Sequence, residues 1–570
     1  MSSIEPWIVW LAIAPLLLCL TYLSSSIQFR RSMKIKSNPP QAPVVPYWIP
    51  WIAHAISLMD PHGFLIKLTK FSSEKPLLVK ATFFRFFVFN NGEQVKSVFR
   101  NSKRISSKST TTFALRNLFN LPEEAINFYW ADDSGMSQTP RKGSNISPEN
   151  RINFLITQSL KKFMSANHLQ TLKERYMDII LRDLDKLDIN SEWTTLPDLY
   201  TFLQNFTVGA NIEALAGSKV LEIYPQLTED LLIFQSHIPD YFSPLPRWFF
   251  PGAYKARRRI LEGIKRWHEY ANKHSDCSKT GPDDPEWEPY FGTKLIRTRQ
   301  SYALQLKQFT PEARASEDLG LIFTATTNVV VATFWFILRA LKDPVLLKQL
   351  LKEASECISS DGTKVDMVKL TAQPLLQSTY AEVLRLYITL AVSRIAEYED
   401  IQVAGYTIPK DSFMIIYNRS LALNEEAWIQ AGRTLRKPLT EFDAERFLVD
   451  PDWTRPEFAK ERDAEKTPEK KSTTSSERRF SMDGLLGLWI PYGGGDHICP
   501  GRHFAKHEML LTFVILLTKF DVELTLPSAS EVLPDTKFAP YGALPPTCKV
   551  PCRIRRRAET QDGDAGVRRT

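Results

Sequence analysis

One run, Pro491-Tyr-Gly-Gly-Gly-Asp-His-Ile-Cys-Pro-Gly-Arg-His-Phe-Ala-Lys-His-Glu508, constrains this chain more than any other. Three consecutive glycines supply positive-φ backbone and remove side chains, so a bulky group can lie against the main chain. Cys499 sits in that turn, directly before a helix-like segment. A thiolate there can ligate a metal, with the nearby amide donors favouring the anion. The competing reading is an ordinary glycine-rich turn around a buried, inert cysteine. The rest of the chain has to decide between them.

Composition narrows the function classes. The 570 residues carry a net charge of +8, and part of that excess is terminal: Arg30, Arg31, Lys34 and Lys36 near the start, Arg553, Arg555, Arg556, Arg557, Arg568 and Arg569 at the end. No interior stripe of Lys and Arg with interleaved aromatics appears, which argues against nucleic-acid binding. The cysteines Cys19, Cys277, Cys357, Cys499, Cys548 and Cys552 are scattered without a CxxC pair, so free thiols in a reducing compartment are expected. Residues 4–27 are long and apolar enough to cross a bilayer, with Trp7, Trp10 and Tyr22 toward the ends. The basic residues follow the apolar run. That order predicts a single-pass anchor with the remainder on the cytosolic side, and leaves the Asn-x-Ser/Thr triplets at Asn145, Asn205 and Asn418 without glycans. Residues 28–50 read as a basic, proline-rich linker, 51–552 as the catalytic body and 553–570 as a basic, disordered tail.

Inside the body, 77–89 reads as a strand pair and 133–150 as an exposed polar loop. Amphipathic helical stretches follow at 151–186, 197–216, 225–237 and 253–274. The apolar loop from Ile238 to Gly252 reads either as core or as a segment that dips into a membrane. Residues 317–341 are hydrophobic nearly all round, as in a helix through the centre of a domain, with Thr327 and Asn328 needing partners or a cavity. The 374–389 helix carries Glu382 and Arg385 on one face. Strands are expected around the Gly405-Tyr406 turn, and a flexible surface insertion at 461–483.

Taken in order, these pieces resemble the haem-thiolate enzymes called cytochromes P450 over nearly the whole chain. Around Cys499, Tyr492 stands where the family has an aromatic, usually Phe. Gly495 and Gly501 match its glycines, His497 its propionate-contacting basic residue, and Ala505 and Glu508 its proximal helix. Upstream, Glu382 and Arg385 match the Glu-x-x-Arg helix, Arg446 the third member of that buried triad, and Arg394 a second propionate contact. The resemblance implies a mainly α fold with small β-sheets (α+β), haem b with Cys499 as axial iron ligand, and electrons from NADPH through NADPH-cytochrome P450 reductase. It also implies an endoplasmic reticulum membrane setting with the catalytic domain in the cytosol. Arg502, Lys506 and His507 are candidates for the reductase-docking face. The wording is most similar to the branch that holds cholesterol 7α-hydroxylase and prostacyclin synthase.

Two departures accompany the match. The distal helix of the family reads Ala/Gly-Gly-x-Asp/Glu-Thr, whereas here the positions are Ala325, Thr326, Thr327, Asn328 and Val329. Valine donates no proton, and asparagine is no general acid near neutral pH. Thr326, Thr327 and Asn328 are then the candidates for proton delivery. The family's Trp-x-x-x-Arg helix is also missing: Trp130 is followed by Ser134. The expected function is monooxygenation of an apolar small molecule, a terpenoid, steroid or polyketide-like pathway intermediate. Phe323, Ala325, Val329, Leu390, Ala391 and Val392 are expected to line its pocket. A haem-thiolate isomerase or dehydratase working without external electrons is the alternative, and a non-catalytic haem sensor the reading outside catalysis.

Overall fold

The computed structural model describes residues 6–35, 40–72, 74–82, 84–243, 245–359, 364–454, 478–527 and 530–557, with side chains from residue 13 onward and without that of Ala166. The side chains of Trp7 and Trp10, residues Lys36, Asn38 and Pro39, the expected insertion up to residue 477, and the tail from 558 lie outside the described residues.

Helix α1 spans Pro6–Lys34 and so runs through the first part of the expected linker. Ile13, Leu16, Leu17, Leu20, Leu23 and Ile27 are exposed on it, whereas Ser25 and Phe29 are buried against the body. The Ser25 hydroxyl donates to the Tyr47 carbonyl (3.1 Å), Tyr22 stacks on Trp48 at 4.3 Å, and Lys75 Nζ donates to the Met33 carbonyl (2.7 Å) near the helix end. The rest of the linker is pinned as well. Val45 N–H donates to the Leu78 carbonyl and Leu78 N–H to the Pro43 carbonyl.

The body is mainly helical with small sheets. Helix α2 is Lys108–Asn117, α3 Ile152–Phe163, α4 Leu199–Ala216, α5 Leu227–Ser236 and α6 Pro251–His274. The amphipathic stretch at 151–186 breaks after α3 and resumes as a second helix, Ala166–Asp185. Helix α7, Pro311–Lys342, is 32 residues long. Its start is written locally: the Thr310 side chain accepts the Ala313 N–H, Pro311 opens the first turn and Glu312 follows. Arg339 and Lys342 complement the dipole at the other end. It is apolar enough to cross a membrane by composition, yet 78% of that apolar window is buried, because the other helices enclose it. Its first part, to Val330, belongs to one hydrophobic core with α5 and α6. From Val331 onward it belongs to a second, with helix α8 (Pro374–Tyr387) and helix α9 (Arg502–Lys519). Thr326 to Val329 lie at that junction.

Strand β1 is Leu77–Ala81, β2 Phe84–Phe89, β3 Ile388–Ile395, β4 Phe413–Tyr417 and β5 Tyr541–Ala543, in the sheet order β1-β2-β4-β3-β5. Strand β3 follows α8 directly, and β5 pairs antiparallel to it with Leu390 opposite Tyr541 and Thr389 opposite Gly542. A second sheet joins Phe520–Leu524, Cys552–Arg556 and Thr194–Leu196. Arg553 to Arg556 are therefore strand, and the expected tail boundary at 553 is corrected: pairing with Phe520–Leu524 orders these arginines.

In the apolar 238–252 loop, Ile238 and Tyr241 are buried while Leu245, Trp248 and Phe249 are exposed. The loop is thus divided between core and surface.

Candidate active site

The glycine turn does what its sequence demands. Gly493 and Gly495 adopt positive φ (71° and 66°), and a Cβ on Gly494 would enter the Phe99 ring at 2.2 Å. Cys499 N–H donates to the Tyr492 carbonyl (3.0 Å), which closes the turn and leaves the cysteine side chain exposed where α9 begins. Gly501 is the residue before α9; a Cβ there would lie 3.9 Å from Cys499 Sγ. Burial pushes the Cys499 thiol up. The amides of Gly501 and Arg502 and the Arg502 guanidinium draw it down by favouring the thiolate. Tyr492 contributes its hydroxyl too, hydrogen-bonded to that of Tyr380 on α8.

Beside this turn lie a buried and a half-buried group, each with an atom that has no partner among the described residues. Arg394 is 6% exposed and its donors reach only main-chain oxygens, Ser393 at 2.7 Å and Gly494 at 3.5 Å; Nε has no partner among the described residues. Burial pushes this guanidinium down to about 10. His497 meets Ser107 at the head of α2 through Nδ1 (3.2 Å), while Nε2 has no partner. Burial, then the charge of Arg394, push its imidazole down to about 3, and Lys161 near the end of α3 adds to the effect. An uncompensated buried cation costs several kcal/mol. Arg394, Lys161 and the free His497 nitrogen therefore suit an anionic group placed between them. An accessible cysteine sulfur beside such an anion site suits haem, whose iron the sulfur would ligate and whose propionates the cations would balance.

The Glu382, Arg385 and Arg446 triad is complete. Arg385 forms two bonds to the Glu382 carboxylate (2.7 and 2.8 Å), and Arg446 Nε a third at 3.0 Å. All three side chains are 0% exposed, and the remaining donors reach the carbonyls of Ala422, Leu439, Lys437, Pro438 and Glu441.

The distal residues assemble differently from the expectation. Thr326 and Thr327 are buried, and their hydroxyls donate back to the carbonyls of Ile322 and Phe323, each at 2.8 Å. Asn328 is exposed, its Oδ1 accepting the Ala543 N–H of β5 at 2.9 Å. Phe323 joins an aromatic cluster with Phe119 and Phe234, at centroid distances of 5.7 and 5.4 Å. Val329 is buried and Ala325 half-buried. Alternation along β3 puts Leu390 and Val392 on the face of Arg394. Ala391 is a correction: it lies on the other face and packs against the cluster of Phe64 and Tyr417.

Two more expectations change. His507 is 3% exposed, so α9 turns it into the core, away from any docking partner. Lys506 is half-buried, donating to Thr371 O and Gln377 Oε1, and burial pushes it down to about 8. Arg502 and His503 stay accessible, with the charges of Lys173 and Lys506 felt at His503. Around the position of the missing Trp-x-x-x-Arg helix, Lys108 lies over the Trp130 ring at 5.8 Å, and Ser134 accepts from buried Arg151 at 3.0 Å.

Several site residues had no sequence motif. Ser107 and Lys161 come to His497 from separate helices. Asn211, a polar residue on the apolar helix α4, donates to the Ala325 carbonyl (3.1 Å) and to Glu508 of α9, so it ties α7 and α9 together. Its place in the apolar Phe206–Leu215 run was the available clue.

A cysteine-bearing glycine turn at the head of a buried helix, a satisfied Glu-Arg-Arg triad and an orphaned Arg-His pair define a haem-thiolate oxidoreductase. A family model described as Cytochrome P450 matches residues 154–539, and the chain belongs to that family. It is 32% identical over 533 residues to cytochrome P450 monooxygenase efuG of Hormonema carpetanum, covering 91% of this chain and 90% of the relative. Cytochrome P450 monooxygenase fsoE of Humicola fuscoatra is 30% identical over 533 residues, 90% and 87% of the two chains. Cholesterol 7-alpha-monooxygenase of Cricetulus griseus is similar at 24% over 416 residues, 69% and 73%. The crystal structure of the cytochrome P450DA heme domain superimposes with a TM-score of 0.60 at 13% identity, over 91% of this chain and 97% of the other.

Proposed function

We propose that this cytochrome P450 monooxygenase is a membrane-anchored enzyme that oxidises an apolar terpenoid, steroid or polyketide-like molecule with electrons from NADPH-cytochrome P450 reductase. The observation that carries the haem assignment is Cys499, open on one side and with two amides that oppose the upward push of burial on its thiol, beside Arg394 Nε and His497 Nε2, which have no partner among the described residues. Haem, when bound, supplies dioxygen activation, with thiolate donation favouring O–O cleavage.

The chain does the rest. Cys499 would ligate the iron through its sulfur, Arg394 and Lys161 would balance the charge of the propionates, and the neutral His497 would offer Nε2 as a hydrogen-bonding nitrogen. The Phe119, Phe234 and Phe323 cluster, with Leu390 and Val392, keeps the reacting region apolar and excludes water. The apolar face of α1 and the exposed Trp248 and Phe249 support entry of substrate from a membrane. Arg502 and His503, with Lys161, Lys162 and Lys173 nearby in the fold, form the basic face offered to an acidic flavoprotein.

Reconstitution with the reductase and candidate lipids tests this reading. Product should require NADPH, and the reduced, CO-treated protein should show the thiolate-type Soret band, lost in Cys499→Ala. Product without NADPH would instead establish an isomerase or dehydratase, the reading favoured by Asn328 and Val329 in place of the acid and alcohol.

A further inference from the structure

Asn328 has an orientation that the chemistry of its neighbour dictates. Its Oδ1 accepts the Ala543 main-chain N–H at 2.9 Å, and a backbone N–H can be met only by the oxygen of an amide side chain. The Nδ2 group must then point the other way. No hydrogen bond from Nδ2 is seen among the described residues, and the side chain is exposed although the flanking Thr327 and Val329 are buried.

The approach of β5 to Asn328 depends on glycine. A Cβ on Gly542 would stand 2.6 Å from Asn328 Oδ1, and Gly542 has φ +150°. Gly542 is itself held in place: its carbonyl accepts from Thr389 Oγ1 at 3.1 Å, in register with β3. Aromatic rings stand nearby. Tyr541, opposite Leu390, stacks on Phe242 at 4.5 Å, and Phe323 lies one helical turn and a little more before Asn328. A neutral two-proton donor, fixed at its oxygen, thus stands beside the aromatic rings of Phe323 and Tyr541, with the Gln235 amide at the neighbouring Thr327 carbonyl (3.5 Å).

We infer that Asn328 is a specificity-determining residue whose Nδ2 donates to an oxygen acceptor, a carbonyl or hydroxyl oxygen, on an otherwise apolar substrate. A donor that a plain hydrocarbon covers and leaves unmet costs free energy, so the site discriminates against molecules without that oxygen. The inference rests on the haem-thiolate reading of the site.

The test uses the full-length, haem-loaded enzyme and a set of N-alkylimidazoles: the plain decyl chain and its isomers with one ketone at successive carbons. Imidazole binds the iron whatever the natural substrate, and the ketone scans outward from it. One isomer should bind about tenfold tighter than the parent, the scale of one hydrogen bond. Asn328→Asp at pH 8 keeps an acceptor for Ala543 N–H and removes the donor, so it should abolish that preference while the parent's affinity stays within about twofold. Equal binding of all isomers, or a preference retained in Asn328→Asp, overturns the inference. Absence of any nitrogen-ligand spectral shift in the unaltered enzyme overturns the haem reading and the inference with it. Hydrogen exchange provides a check without haem. The Ala543 amide should be protected in the unaltered chain and in Asn328→Asp, and exchange faster in Asn328→Leu; unchanged protection in Asn328→Leu would remove the lock.

Discussion

Arg394 shows how a single side chain reports a missing anion. Its buried guanidinium meets only carbonyls, and burial lowers its pKa to about 10, so a propionate should both neutralise it and be held by it. Arg394→Gln keeps a donor but loses the charge. Haem transfer to apomyoglobin should show a loss of affinity of about 10- to 100-fold, since a charge-assisted bond contributes about 1.5–3 kcal/mol. Glu508 makes a different prediction. Burial pushes its carboxyl well above the ordinary range, against the Asn211 amide that favours the anion. The native state therefore holds a proton that the unfolded chain releases. This stabilising contribution is complete below the ordinary glutamate pKa, about 4.3. It declines as pH rises from there toward the higher native pKa. Glu508→Gln keeps the contact and removes the titration. Its melting temperature should exceed that of the unaltered chain above pH 6 by a few degrees, and match it near pH 4, in thermal scans across that range.

At the scale of elements, α8 and the strand that continues it hold the haem side together. Every donor and acceptor of the Glu382 triad is used inside the core, so removing one partner strands buried charge. Glu382→Ala should cost about 3–5 kcal/mol, read from the denaturant midpoint of the purified protein. Trp335 anchors α7 to the same unit: it stacks on Tyr387 at 4.0 Å and its indole N–H reaches the Leu544 carbonyl at 2.7 Å. That second contact leads into β5, one residue beyond the Ala543 amide that fixes Asn328. The distal helix is thereby tied to β5 at Asn328 and to the residue that follows β5 at Trp335, seven positions apart in the chain.

The whole molecule joins an apolar helix to a catalytic body through contacts rather than a loose tether. Ser25, Phe29, Tyr22 and the Lys75 ammonium dock the C-terminal part of α1, leaving Leu16, Leu17, Leu20 and Leu23 exposed. Full-length protein should stay with membranes through a carbonate wash. Leu17→Asp with Leu20→Asp adds about 2.5–3.5 kcal/mol per charge at a helix centre, and should move the protein into the supernatant while its reduced-CO spectrum is kept.

Much of this was legible in the sequence because it is local. The Cys499 turn is dictated by consecutive glycines and fixed offsets along one stretch, α7 by an apolar run with its own capping residues, and the Glu382–Arg385 pair by one helical turn. The structure decided what depends on faces and on distant partners. Alternation in β3 put Ala391 on the face opposite Leu390 and Val392. The packing of α9 buried His507, and pairing with Phe520–Leu524 turned the supposed tail from Arg553 to Arg556 into strand. No spacing in the chain could bring Ala543 to Asn328, because a contact across 215 positions exists only after β5 pairs with β3. The proximal chemistry is therefore written along the chain, whereas the distal hydrogen bond that orients Asn328 arises only from the folded sheet.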